Sequence, residues 1–273
     1  MRHFTCIFAM ASLMAITAAP SAGQSFKINP DDDWCSTDRD GDWDSDYDRH
    51  CEVREATLDA GREVIRVDAE PNGGISIKGW DKGNILIRAK VVANARSTSA
   101  AEELAREVRI STAATIEAEG PHPRKHQWYS VSFEIFAPRK SNVDLLTKNG
   151  GITISALDGR VRFQTLNGGV ELTALSGDVM GKTTNGGVSI ELHGEAWDGS
   201  GLDVETVNGG VSIVVPKDYS AELETGTVNG HIEVDFPVLV QGRFDRRLNA
   251  TLGDGGKPIR AVTTNGGVVV KRS

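Results

Sequence analysis

Several things are missing from this chain, and each absence removes a class of protein. Basic residues are not in excess, with 30 Lys and Arg against 38 Asp and Glu, and they form no stripe. Binding to a phosphate backbone needs one, so nucleic acid is excluded as a partner. Beyond the first two dozen residues there is no apolar run of about 20 residues, so no transmembrane segment is expected. No Gly-x-Ser-x-Gly elbow and no paired Cys-x-x-Cys spacing occur, which leaves serine hydrolysis and a thiolate metal site without their usual signatures. Glycine is plentiful, at 30 residues, but lacks the three-residue period of collagen. The 39% apolar content is enough for a packed core and excludes disorder.

Residues 1–23 carry Arg2 and His3, an apolar run from Ile7 to Ala19, and small residues before Gln24. This is the pattern of a secretory signal peptide, too short to span a bilayer. Its removal would take Cys6 with it and leave Cys35 and Cys51 for an oxidising compartment. A disulfide between these two is the expected state, worth about 3 kcal/mol in the chain-entropy picture. A metal thiolate site or two free thiols are the other readings. The implied location is exported: the periplasm, cell surface or extracellular space of a Gram-negative-type bacterium.

The acidity is concentrated in residues 24–55. Nine Asp lie between Asp31 and Asp48, and without them the remainder of the chain is close to neutral. Asp38, Asp40, Asp42 and Asp44 alternate with other residues, as oxygen ligands do in a short loop around a hard cation. The likeness to a calcium loop is partial. The glycine precedes the third Asp, and where a bidentate Glu would close an EF-hand loop the chain has Arg49. A solvated acidic linker competes with a weak Ca²⁺ site, and no other cofactor is indicated.

Residues 56–138 read as a β-rich module with one helix. Period-two alternation marks strands at Val64–Asp68, Ile75–Trp80 and Ile85–Val91. Ala100 to Val108 read as a helix capped by Thr98 or Ser99. Further strands are expected around Val108–Ile116 and Trp128–Ala137. The loop between them, from Gly120 to His126, reads as a solvated hairpin tip.

Residues 139–273 are repetitive. The motif Thr-x-Asn-Gly-Gly/His-Ile/Val begins at Thr147, Thr165, Thr183, Thr206, Thr227 and Thr263, with an isolated early copy at Asn72–Ile75. Its turn residues are Asn149 and Gly150, Asn167 and Gly168, Asn185 and Gly186, Asn208 and Gly209, Asn229 and Gly230, and Asn265 and Gly266. The spacing of the first copies is two short strands and two turns per unit. Such a unit buries its apolar side only by stacking on the next. One parity holds Ile152, Ile154 and Ala156, then Val170, Leu172 and Ala174, as core; the other holds Glu171, Glu191 and Glu233 as surface. The Asn-Gly pairs are expected to supply positive φ at tight corners and, when stacked, an Asn side-chain ladder. The Thr hydroxyls share the parity of the core, so they should satisfy backbone groups at the corners. The last, longest interval is read as one coil plus an inserted hairpin, and Val268–Val270 as the terminal edge strand, blunted by the charges that follow.

The Asn-Gly-Gly repeats from Asn149 to Gly267, the strand-helix-strand-strand module before them and the Trp128–Val131 strand closing at Pro138 resemble the bacterial adhesin domain family, an exported β-strand-repeat domain of unknown function. The cysteine pair ahead of the module is similar to that in exported members. The resemblance implies a single-stranded, right-handed β-helix or β-solenoid behind a small capping module, and brings no catalytic residues.

Two functions follow for such a chain. The first is a non-enzymatic interaction or scaffold module for envelope or surface polysaccharide or protein, whose coil ends also offer end-to-end self-association. The second is a polysaccharide-active β-helix enzyme. The second needs clustered carboxylates, whereas Glu171, Glu191 and Glu233 are spread over the coils. Asp178 and His193 are the remaining candidates for chemistry, and neither has an evident partner in sequence. The first reading is therefore the expected one.

Overall fold

A computed structural model describes residues 25–36, 46–122, 124–237, 239–240 and 246–273. Residues 1–23, expected as a signal peptide, lie outside the described residues. The alternating segments form two sheets of eleven strands each. The protein is mainly β, and both sheets are mixed. In the first sheet, whose stacked coil strands are short where those of the other, the long-strand sheet, are long, the order is Lys27–Asn29, Asp48–Asp59, Asn84–Ala95, Trp128–Pro138, Ile75–Trp80, Ile152–Ser155, Val170–Thr173, Val188–Glu191, Val211–Val215, Val268–Arg272 and Ile232–Val234. In the other sheet it is Leu239–Val240, Arg247–Leu252, Ala221–Asn229, Pro258–Asn265, Gly199–Asn208, Ser176–Asn185, Asp158–Asn167, Val143–Asn149, Ile65–Asp68, Ile116–Glu119 and Arg109–Ser111.

The middle of both sheets is a parallel stack in which equivalent residues of successive coils face each other. Ile75, Ile152, Val170, Val188, Val211 and Val268 form one such row. Val143, Val161, Val179, Leu202 and Ile259 form another in the facing sheet. All are buried, and the two inner faces make one continuous core. Complete burial of each such side chain contributes about 1.5–3 kcal/mol.

Phe163 shows how the core row fits itself. Its neighbour in register is Gly181, and a Cβ there would lie 2.4 Å from three carbons of the Phe163 ring. The ring thus occupies the volume that a side chain at 181 would need.

At each Asn-Gly-Gly corner three bonds repeat. The Thr hydroxyl, buried, donates to a glycine carbonyl of the adjacent coil: Thr147 to Gly73 at 2.7 Å, Thr165 to Gly150 at 3.0 Å, Thr183 to Gly168 at 2.9 Å, Thr206 to Gly186 at 2.7 Å, Thr263 to Gly209 at 2.7 Å and Thr227 to Gly266 at 2.8 Å. The Asn amides form a side-chain ladder at 2.7–2.9 Å from Asn72 through Asn149, Asn167, Asn185, Asn208 and Asn265 to Asn229. Except in the outermost coil, the backbone N–H of the first corner glycine donates to the Asn carbonyl of the next coil, as Gly168 does to Asn185 at 2.9 Å.

The corner glycines are required for a different reason from the one expected. None of Gly150, Gly168, Gly186, Gly209, Gly230 and Gly266 has positive φ. Instead a Cβ at Gly168 would lie 1.9 Å from the carbonyl oxygen of Gly150, and each of the others meets a stacked glycine carbonyl at 2.0–2.1 Å. Close approach of backbone to backbone, not handedness of the turn, excludes a side chain. Left-handed backbone occurs at the opposite corner, where Ala156 has φ 55° and Ala174 φ 52°. That reversal breaks the parity, so both alanines are half-buried and Leu157 enters the core in place of Ala156.

The ladder also starts earlier and ends differently than the spacing implies. The Asn72 copy is not isolated. Strand Ile65–Asp68 pairs in parallel with Val143–Asn149, and Asn72 bridges to Asn149, so residues 65–80 form the first coil inside the 56–138 segment. At the far end the order of coils departs from chain order. Pro258–Asn265 and Val268–Arg272 insert between the coil of 199–215 and that of 221–234. Val268–Arg272 is therefore internal, with neighbours on both sides. The outer strand is Ile232–Val234, three residues carrying Glu233, and a short charged edge resists further pairing. The inserted hairpin is present as Leu239–Val240 antiparallel to Arg247–Leu252, and the latter is antiparallel to Ala221–Asn229.

At the near end the antiparallel strands Asp48–Asp59, Asn84–Ala95 and Trp128–Pro138 close the stack, and helix Thr98–Glu107 packs on the first two. Its N-cap is Ser97, one residue earlier than expected, with Oγ accepting from the Ala100 amide at 3.3 Å. The expected strand Val108–Ile116 is instead a hairpin of Arg109–Ser111 with Ile116–Glu119. Cys35 and Cys51 are joined, with Cα atoms 5.8 Å apart, tying the N-terminal segment to the cap.

The close-approach account predicts opposite outcomes at adjacent glycines. Gly168→Ala should lose about 1–3 kcal/mol in denaturant unfolding by overpacking the stack. Gly169→Ala, whose Cβ would lie 3.6 Å from the nearest atom, should stay within about 0.5 kcal/mol of the parent.

Candidate functional site

The outward side chains of the long-strand sheet form rows across the coils. One row runs Arg66, Asp144, Arg162, Met180, Asp203, Arg260 and Glu224. The next runs Asp68, Leu146, Gln164, Lys182 and Glu205. From Arg66 to Asp203 in the first row and throughout the second, they line a groove of about 630 Å³ crossing five strands. Leu146 and Met180 give it an apolar centre, and Met180 is 47% exposed.

Charge around the groove is tied sideways. Arg162 donates to Asp178 at 2.6 Å, and Arg260 donates to Asp203 at 2.5 Å and Glu205 at 2.7 Å. Burial would lower the Arg260 guanidinium, but its carboxylates outweigh that and hold it above its ordinary range. These are cross-strand pairs that fix side-chain direction more than they stabilise, since exposed pairs contribute little. No nucleophile stands beside a base here. Asp178 is occupied by Arg162. His193 Nε2 lies 3.9 Å from Glu191, both half-exposed, with no third group to orient them among the described residues.

Two charged knots hold the cap. Arg88 is gripped by Asp32 at 2.7 Å, Glu55 at 2.8 Å and Glu134, with the Trp34 ring 5.6 Å away. Burial raises the Asp32 carboxyl, but the Trp34 amide and Arg88 outweigh it and hold it below the ordinary carboxylate range. Arg54, itself buried, donates to the Val108 carbonyl at 2.5 Å and the Ala105 carbonyl at 2.7 Å, capping the helix C-terminus, and to Glu52 at 2.7 Å. Burial likewise raises Glu52, and His50 and Arg54 reverse it to a net lowering.

The loop expected as a solvated tip is anchored instead. Arg96 donates to His126 Nε2 at 3.0 Å, so the proton of the neutral ring sits on Nδ1, which donates to the Tyr47 hydroxyl at 2.8 Å. His126 holds φ 67° to make both contacts.

Residues 127–271, more than half of the chain, match the family model Toastrack DUF4097. The chain belongs to the Toastrack DUF4097 family. The match begins at the strand Trp128–Pro138, so the first coil of this Toastrack protein lies ahead of it. Among solved structures, a candidate cell adhesion protein of Clostridium sporogenes is 13% identical, covering 83% of this chain and 100% of its own, with a TM-score of 0.39. A candidate adhesin of Bacteroides fragilis is 11% identical over 82% and 97%, with a TM-score of 0.39. A candidate lipid binding protein of Parabacteroides distasonis is 12% identical over 81% and 96%, with a TM-score of 0.35. No curated protein matches the chain.

Of the residues singled out in sequence, the Toastrack corner set is brought into one ladder and the cysteines into one bridge. Asp38, Asp40, Asp42 and Asp44 lie outside the described residues. Among the described residues no three His, Cys, Asp or Glu converge as metal ligands, and no helix is long and apolar enough to cross a membrane. Sequence reasoning missed the groove. Its signal was present, since Leu146 and Met180 are apolar residues at outward parity.

The lowered Asp32 and Glu52 carboxyls set the acid behaviour of the cap. Each contributes fully above its unfolded value, near pH ~4, and loses that contribution as pH falls through the lower folded value. Denaturant unfolding followed from neutral to acid pH should therefore show stability falling below about pH 4, and Asp32→Asn should flatten that fall. Identical pH profiles for the two proteins would contradict the role of the Arg88 knot.

Proposed function

We propose that this Toastrack protein is an exported, non-enzymatic, adhesin-like interaction module that binds envelope or surface glycans or proteins in the periplasm or at the cell surface. The coil is read as a right-handed solenoid, the hand that parallel crossovers adopt. The observation that carries the reading is the outer face of the long-strand sheet. Stacked coils hold it rigid, Arg162 and Arg260 are fixed in lateral pairs with Asp178 and Asp203, and a groove in it has an apolar centre at Leu146 and Met180 with polar walls. A rigid, preformed face loses little conformational freedom on binding, which suits recognition. Hydrolysis of a polysaccharide would need two carboxyl groups or an acid and a base held toward one point, and Asp178, Asp203 and Glu205 are instead directed to Arg162 and Arg260 of neighbouring strands.

Cosedimentation of the purified chain with isolated Gram-negative envelope is the test. Saturable retention is expected, weakened at least ~10-fold by Met180→Glu, which places a charge at the apolar centre, while the melting temperature stays near that of the parent. Absence of retention, or retention indifferent to Met180→Glu, would count against this face. Release of reducing sugar from envelope polysaccharide would instead establish the enzyme reading.

A further inference from the structure

The Asn ladder has a direction, and one of its ends opens into a cavity. Asn149 Nδ2 lies 3.0 Å from the Pro71 carbonyl oxygen, which only accepts, so that atom is the amide nitrogen and its oxygen faces Asn167. Every later rung repeats the sense, each Nδ2 donating to the Oδ1 of the coil nearer the cap. Asn72 is the last acceptor, taking the bond from Asn149 at 2.9 Å. Its own Nδ2 donates to nothing among the described residues. Six ladder bonds polarise that terminal donor, since chains of hydrogen bonds reinforce one another.

Asn72 lines a cavity of about 410 Å³, within the ~300–1,000 Å³ of small-ligand sites. Around it stand Glu70, Glu119, His122, Trp128 and Tyr129. Neither carboxylate is paired among the described residues. Gly120 leaves room for the Tyr129 hydroxyl, which a Cβ there would meet at 2.7 Å, and that hydroxyl has no partner among the described residues. Burial pushes the Tyr129 phenol up, so it remains a donor. Trp128 is 37% exposed, and the Tyr47 ring packs on it in a T-shape with centroids 4.7 Å apart, Tyr47 being itself held by His126.

We infer that this cavity is a saccharide-binding site for neutral or N-acetylated sugar units, separate from the groove on the long-strand sheet. A pyranose ring has an apolar face that stacks on an indole, and hydroxyls that need acceptors and donors together. Trp128 supplies the first, Glu70 and Glu119 supply the acceptors, and Asn72 and Tyr129 supply the donors. Two unpaired carboxylates repel uronic acids and phosphorylated ligands, which restricts the class to uncharged units.

Isothermal titration of the purified chain with chitotriose, maltotriose and trigalacturonate tests this. Saturable heat is expected with at least one of the two neutral trisaccharides and none with trigalacturonate. Trp128→Ala should weaken the binding ~10-fold or more, and the isosteric Glu119→Gln should weaken it several-fold without disturbing the fold, while Met180→Glu leaves it unchanged. Absence of heat with both neutral sugars, equal binding of trigalacturonate, or affinity indifferent to Trp128→Ala and Glu119→Gln would each overturn the site. Because Met180→Glu reports only on the long-strand face, failure here is distinguishable from failure of envelope binding there.

Discussion

The buried hydroxyl of one threonine per coil, donating to a glycine carbonyl of the coil beside it, is the interaction on which the remaining structure depends. It fills a backbone acceptor that has no other partner inside the corner, and it does so only if two glycine backbones come within a distance that no Cβ tolerates. Thr, Gly and Asn are thus a single device. The hydroxyl fixes the inner side of the corner, the glycine permits the contact, and the Asn amide ties the outer side. Repeated from Thr147 to Thr263, it aligns Ile, Val and Leu rows between the sheets without requiring any particular core residue, and it keeps the outer faces flat and rigid.

A stack built this way has two problems at its ends, and the chain meets each differently. At the near end three antiparallel strands, a helix capped by Arg54 and a segment held by the Cys35–Cys51 bridge and the Arg88 knot cover the first coil. At the far end the last coil turns back inside the stack, between the coil of 199–215 and that of 221–234, so the C-terminal strands gain neighbours on both sides. What remains at the edge is short and charged. The outer face of the Toastrack ladder is thereby left as an extended, uncovered surface.

Much of this was legible in the residues because a repeat amplifies weak signals. One Thr-x-Asn-Gly-Gly is a common turn, whereas six with matching parity require stacked coils, and the inward threonines follow from counting alone. Other features depend on contacts that spacing does not encode. An Asn-Gly pair reads equally well as a positive-φ turn or as a close-approach corner, and only the stacked carbonyl decides between them. The order of the final coils is invisible because the strand of 258–265 carries the same motif wherever it inserts. Glu70 and Glu119 are far apart in the chain, and their cavity exists only because strand 116–119 lies beside the first coil. The Arg88 knot joins four segments for the same reason. Apolar residues at outward parity, such as Met180, were the one unused signal of a binding face.

Unfolding of Thr183→Val isolates the corner bond, because it removes one hydroxyl while keeping a β-branched side chain of similar shape. The Gly168 carbonyl would then be buried without its donor, and a loss of about 1–3 kcal/mol is predicted, with the parallel stack otherwise intact by circular dichroism. A variant as stable as the parent would show that apolar rows alone hold the coils, and that the corner bond is incidental to the fold.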